Sequence, residues 1–266
     1  MREPTRLPKW LGVLLTFTLV TLPSTPALAQ AAKQGNTAVK PVPRDKNWVK
    51  RHETFVAMAK RGGIDVLFQG DSITDAWGGE GHNPKAAGTK IFEKEFVPLK
   101  AANFGIGGDR TQHVLWRLQH GELDGIQPKV VMLMIGTNNS NGKDNTAQEI
   151  AAGITAIVKE IHQHSPKTKV LLLGIFPRAD RKTGKPNPEQ MEKIKQVNTI
   201  IAKLDDGGKT VRYLDIGSKF QAPDGSLPRS IMPDQLHLSE QGYRIWADAV
   251  KGPIKELLGG RSAKSR

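Results

Sequence analysis

At 266 residues the chain is bounded to one large domain or two small ones. It contains no cysteine, which excludes disulfides, cysteine nucleophiles and cysteine-ligated zinc. Lys and Arg number 39 against 26 Asp and Glu, a net charge of +13. Those charges are scattered apart from the tail Arg261–Arg266, and no basic run is interleaved with aromatics. The excess therefore reads as a solvated surface, and no nucleic-acid partner is expected.

Arg2, Arg6 and Lys9 precede an apolar segment from Trp10 to Val20, and Ala27-Leu28-Ala29 places small residues at a cleavage position. This is the pattern of a secretory signal peptide over residues 1–29. The apolar segment is shorter than the roughly 20 residues needed to span a bilayer. Cleavage after Ala29 is expected rather than retention as an anchor, leaving an exported protein, periplasmic or secreted, with no integral membrane segment. Residues 30–44 are rich in Ala, Lys, Gln and Pro, include Pro41-Val42-Pro43, and read as a flexible linker. A domain over residues 45–258 follows, with a basic flexible tail at 259–266.

Within that domain, apolar runs of strand length alternate with helical patterns. The predicted strands are Val66–Gln69, Ala101–Phe104, Val130–Ile135, Val170–Ile175 and Val211–Leu214, continuous apolar runs of the kind that buried parallel strands show. The predicted helices are Gln112–Leu118, Thr146–His164, Glu189–Leu204 and Ser239–Leu258. Ile150, Ile154, Ile157, Val158 and Ile161 give the second of these one apolar face. Alternation of this kind predicts an α/β domain, a parallel five-stranded sheet with helices on both faces. Ligands in such folds sit beyond the carboxyl ends of the strands.

Four sequences with the residue types of acyl-transfer chemistry can gather there, three just past strand ends and one in the loop before the last helix. Gly70-Asp71-Ser72 closes the first strand, and a serine hydroxyl becomes a nucleophile when an imidazole takes its proton and a carboxylate fixes that imidazole's tautomer. Asp234-Gln235-Leu236-His237 supplies both partners before the last helix. Between them lie Asn103-Phe104-Gly105-Ile106-Gly107-Gly108-Asp109-Arg110 and Gly136-Thr137-Asn138-Asn139. A glycine N–H, an asparagine amide and the serine's own N–H are suitable donors to the negative oxygen that acyl transfer builds.

Other residues invite plainer readings. Asp71 points away from its neighbour's chemistry and suits a role in the turn. His113, His120, His162 and His164 lie on predicted helices as surface or packing groups. His82 sits in a Gly-rich stretch after the serine, where it is either solvated or in touch with substrate. The segment Trp77–Lys90 is expected to be mobile and to lie over the catalytic rim. No metal-ligand spacing is present, and Gly105-x-Gly107-Gly108 lacks the rest of a dinucleotide fingerprint, so neither metal nor cofactor is expected.

The order Gly-Asp-Ser, Gly, Gly-x-Asn, Asp-x-x-His resembles the GDSL or SGNH hydrolase superfamily. Residues 103–118, Gly121-Glu122-Leu123 and Gly136-Thr137-Asn138-Asn139 resemble the catalytic subunits of the intracellular, Ib-type platelet-activating-factor acetylhydrolases, and the similarity runs from about Asp65 to about Leu258. The resemblance implies a three-layer α/β/α, flavodoxin-like fold. It implies Ser72 as nucleophile, Asp234 and His237 as its partners, and Ser72, Gly108 and Asn138 as the oxyanion hole. Two features differ from those subunits: the longer Gly-rich stretch Trp77–Pro84, and the export signal. The expected function is an exported serine esterase on small acyl esters, acetyl above all, with a small-molecule, glycan or lipid ester as substrate. Ile73 and Leu236, apolar and adjacent to the catalytic residues, are the expected acyl pocket, with His82 a possible substrate contact. The alternatives are a lysophospholipase or phospholipid acetylhydrolase, and an inert carbohydrate- or lipid-binding module on the same fold.

Overall fold

Five apolar runs pair into one sheet: β1 (Val66–Gly70), β2 (Ala101–Asn103), β3 (Val130–Met134), β4 (Lys169–Leu173) and β5 (Val211–Leu214). Their spatial order is β2-β1-β3-β4-β5 and every pair is parallel. The structure is a computed structural model that describes Met1 and residues 35–259. The predicted signal after Met1, the first part of the linker and the tail after Gly259 lie outside the described residues.

Alternation along each strand decides what covers which face. Leu67, Val131, Leu133, Val170 and Leu172 point into a core closed by α1 (Lys46–Arg61), α4 (Thr111–Arg117), α5 (Ala147–His164) and α6 (Pro188–Ile201). Val66, Phe68, Met132, Met134, Leu171 and Leu173 point the other way, against α2 (Ser72–Asp75), α3 (Thr89–Glu95) and α7 (Glu240–Leu257). All residues of β1 and β3 are buried, which is why these strands read as unbroken apolar runs. The three-layer α/β/α architecture is the one expected.

Helix ends are set by local chemistry. Thr146 and Glu149 form a reciprocal capping box at the start of α5, and Ser239 caps α7 by accepting from the N–H of Gly242. Asp45 caps α1 through the N–H groups of Asn47 and Trp48, and Gly62, at φ 74°, ends it.

One expectation fails here. Residues 36–44 of the predicted linker are bound to the domain surface rather than free of it. Asn36 Nδ2 donates to the carbonyl of Glu149 at 3.3 Å, Thr111 Oγ1 to that of Ala38 at 2.8 Å, and Asn145 Nδ2 to Thr37 Oγ1 at 2.9 Å. The Ala38 side chain is fully buried. A Pro-rich composition predicted a spacer because its partners lie far along the chain, beyond any local pattern.

Candidate active site

The turn after β1 places the serine. A side chain at Gly70 would meet Thr74 Oγ1 at 2.2 Å and the carbonyl of Met134 at 2.3 Å, so only glycine lets the chain leave the sheet here. Asp71 caps α2, its Oδ1 accepting the N–H of Ile73 at 3.0 Å. Ser72 is thereby the first residue of α2. Tyr243, from α7, donates its hydroxyl to the carbonyl of Ile73 at 2.6 Å and ties the turn to the last helix.

The imidazole arrives from the loop before α7. Asp234 Oδ1 accepts the N–H groups of Leu236 at 3.1 Å and His237 at 2.7 Å, closing a tight turn. Asp234 Oδ2 meets His237 Nδ1 at 2.8 Å, and His237 Nε2 meets Ser72 Oγ at 2.9 Å. A carboxylate beside Nδ1 assigns the proton to that nitrogen and leaves Nε2 free to accept from the serine. Gln235 sits at φ 65°, a left-handed conformation unfavourable for a side-chain-bearing residue. It is held there because its buried amide donates to the carbonyls of Leu227 at 3.2 Å and Met232 at 3.1 Å. Burial alone would raise the Asp234 carboxyl, but hydrogen bonds from the His237 side chain and backbone outweigh it, and its pKa lies below the ordinary value. The carboxylate is therefore ionised throughout the neutral range.

The two glycines of Gly107-Gly108 are distinguished by what already binds them. The N–H of Gly107 is committed to Asp75 Oδ2 at 3.1 Å. The N–H of Gly108 has no hydrogen-bond acceptor among the described residues. Gly107 lies beside the serine, since a side chain there would begin 3.8 Å from Ser72 Cβ. The two asparagines separate in the same way. Asn139 is fully buried and saturated: Oδ1 accepts the N–H of Thr111, and Nδ2 donates to Gln112 Oε1 and Asn145 Oδ1, all at 3.0 Å. Asn138 is half-exposed and spends one amide hydrogen on the carbonyl of Asp109 at 2.8 Å, which orients the group and leaves the second hydrogen available.

Three expectations about neighbouring residues require correction. The His82 side chain is fully buried and cannot contact substrate. Its Nδ1 meets Asp75 Oδ1 at 2.6 Å, its Nε2 meets the carbonyl of Asn103 at 2.7 Å, and its ring stacks on Phe55 at 5.4 Å. The segment Trp77–Lys90 is anchored along the β2 edge rather than hanging over the rim. Trp77 is fully buried against Phe68, Phe96, Tyr243 and Trp246, Asn103 Nδ2 donates to the carbonyl of Gly78 at 2.9 Å, and Glu80 pairs with Arg61. Ile73 is 1% exposed and packs in the α7-side core, so it lines no acyl pocket. Leu236 stays half-buried beside His237, packed on the same core. Glycine content had stood for freedom, whereas here the glycines permit close packing.

Asp71 has a measurable consequence. It is fully buried, its Oδ2 has no hydrogen-bond partner, and burial pushes its pKa up to about 7. A carboxyl raised above its unfolded value of 3.8 stabilises the fold fully at low pH, and that contribution is lost as pH rises through about 7. The window is worth on the order of 4 kcal/mol. Asp71→Asn keeps the cap and cannot ionise, so its denaturation midpoint should hold between pH 5 and pH 8 where that of the wild type falls. Parallel pH profiles for the two proteins would show that Asp71 is charged in the native state.

A serine at the tip of a parallel sheet, linked through an imidazole to a carboxylate, is the arrangement of a serine hydrolase on a three-layer α/β/α fold. The chain belongs to the GDSL-like lipase/acylhydrolase family, whose profile matches residues 68–245. It is thus a carboxylic ester hydrolase. It is 40% identical over 222 residues to the platelet-activating factor acetylhydrolase IB subunit alpha1 of Homo sapiens, covering 84% of this chain and 89% of that one. The alpha2 subunit of Rattus norvegicus is 40% identical over 221 residues, covering 83% and 87%. Among solved structures, one described as a putative platelet activating factor from Streptococcus pneumonia matches with a TM-score of 0.61 at 23% identity, covering 87% of this chain and all of that one. An acetylxylan esterase of Geobacillus stearothermophilus matches with a TM-score of 0.53 at 19% identity, covering 77% and 98%.

Proposed function

We propose that the protein is an exported serine esterase that removes small acyl groups, acetyl first among them, through Ser72, His237 and Asp234. The observation that carries this reading is the unbroken line from Ser72 Oγ through His237 to Asp234, at 2.9 and 2.8 Å. His237 Nε2 takes the hydroxyl proton as Ser72 Oγ attacks the ester carbonyl. The N–H groups of Ser72 and Gly108 and the Asn138 amide receive the oxyanion. His237 then gives its proton to the leaving alcohol, and a water, deprotonated by the same nitrogen, releases the acid from the acyl-serine.

The relatives at 40% identity bear the name acetylhydrolase, which favours an acetyl group. The His237 side chain is 40% exposed on an open rim, a setting that admits an alcohol much larger than the acyl group. The N-terminal signal pattern supports export. The relatives' name favours a phospholipid acetyl ester, and export favours an acetylated glycan. The test is the chain from residue 30 onward assayed on p-nitrophenyl esters of increasing acyl length, then on an acetylated xylo-oligosaccharide and a 2-acetyl phospholipid. Turnover should fall steeply beyond the shortest acyl chains. A preference for long chains would replace the acetyl reading with a lipase, and no turnover above Ser72→Ala would replace it with the binding module.

A further inference from the structure

Arg44 lies in the segment that the composition presents as a linker, 64 positions before Gly108, yet it touches the oxyanion loop. Its Nη1 donates to the carbonyl of Gly107 at 2.7 Å and to Asp109 Oδ1 at 3.2 Å. That carbonyl belongs to the same peptide unit as the N–H of Gly108. A trans peptide is planar and holds its C=O and N–H in opposite directions, and the described chain contains no cis bond. Fixing the Gly107 oxygen against Arg44 therefore fixes where the Gly108 N–H points, on the side away from the guanidinium. A cation on the carbonyl also draws electron density through the peptide and strengthens its N–H as a donor.

The surroundings make this contact specific. A side chain at Gly108 would begin 3.2 Å from both Nη1 and Nη2 of Arg44, and Gly108 has φ 78°, so glycine here also leaves room for the guanidinium. Asp109, which holds Arg44 in place, is itself gripped by Arg117 Nε at 3.0 Å and Trp48 Nε1 at 2.6 Å. On the other side Asp75 holds the Gly107 N–H. The peptide that presents the Gly108 N–H is thus fastened at its oxygen by Arg44, and the peptide before it is fastened at its N–H by Asp75.

We propose that Arg44 is a positioning residue of the oxyanion hole, one that orients and polarises the Gly107–Gly108 peptide. The proposal rests on the esterase reading. Because Asp109 keeps Arg117 and Trp48, removing Arg44 leaves the fold supported.

The experiment compares wild type, Arg44→Ala, Arg44→Gln and Arg44→Lys on p-nitrophenyl acetate, with Ser72→Ala as the blank. Wild-type turnover at the level of that blank defeats the esterase reading itself; the Arg44 variants are read against an active wild type. Arg44→Ala should lower kcat by about 10-fold, less than the roughly 10²–10³-fold lost with a donor itself, at nearly unchanged KM. Affinity for a boronic acid, which builds a tetrahedral anion on the serine, should fall by the same factor as kcat. Added ethylguanidinium should restore part of the Arg44→Ala rate, and Arg44→Lys should lie between wild type and Arg44→Gln. Unchanged kcat in both Arg44→Ala and Arg44→Gln overturns the proposal. So does a kcat loss that neither guanidinium nor lysine relieves and that boronate affinity does not follow, because that pattern belongs to general loosening of the segment.

Discussion

Ser72→Ala should lower kcat on p-nitrophenyl acetate by about 10⁶-fold, since nucleophile and imidazole act as a unit and loss of either removes the covalent route. The same change should leave the midpoint of unfolding within roughly 0.5 kcal/mol of wild type. The hydroxyl is half-exposed and its one described partner is His237, so no buried group is orphaned when it goes. The turn that carries it is held by other atoms, the Asp71 cap and the Tyr243 hydroxyl on the carbonyl of Ile73. An organophosphonate should label the wild type at Ser72 and leave the variant unlabelled. Labelling that persists in Ser72→Ala would assign the nucleophile to another residue.

The central strands β1, β3 and β4 were readable because all their residues but Lys169 are buried, and burial on both faces writes a nearly unbroken apolar run; β5, buried only at Val211, showed the same pattern more weakly. The long helices α5, α6 and α7 were readable because each meets the core along one stripe and water along the rest. Helix α1 escaped for the opposite reason. Its buried face includes His52 beside Trp48, Phe55, Met58 and Ala59, so a polar ring interrupts the apolar stripe that periodicity looks for. Helix α2 spans 4 residues, too short for a period to emerge, and α3 buries only two large apolar side chains, the adjacent Ile91 and Phe92, which define no period. Their presence follows from tertiary fit, above all the buried Trp77 between them.

The site divides along the same line. Ser72, Asp234 and His237, the proposed triad, stood out because the chemistry proposed for them demands particular residue types, and two of them lie three residues apart in one turn. Choosing Gly108 over Gly107 and Asn138 over Asn139 needed a family resemblance at the sequence level. The hydrogen bonds now give a physical reason, since Asp75 occupies the Gly107 N–H and Thr111, Gln112 and Asn145 saturate Asn139. The contacts of Arg44, Asp75 and His82 around the proposed site were not legible in the sequence. Each makes a contact that only the fold creates, and a histidine among glycines looks solvated until its two ring nitrogens are seen against Asp75 and the carbonyl of Asn103. Residues that do chemistry carry a signature of type, whereas residues that hold them carry only one of place.

That distinction sharpens the expectation for Asn138. Asn138→Ala should lower kcat by about 10²–10³-fold with little change in KM, because a donor to the oxyanion strengthens chiefly as charge develops on the carbonyl oxygen. The loss should be one of rate and not of fold. The amide's single described bond, made from a half-exposed side chain, is to the carbonyl of Asp109, and the buried anchoring of this loop belongs to Asn139 and to Ser140 Oγ on the carbonyl of Thr137 at 2.7 Å. Asn138→Asp should be slower still at neutral pH, since it puts a negative oxygen where the second amide hydrogen had faced the developing anion. Paired kcat and KM values with a thermal melt for each variant decide the matter. A raised KM at constant kcat would make Asn138 a ground-state contact, and an aspartate variant as fast as the alanine would mean the amide points away from the reacting oxygen.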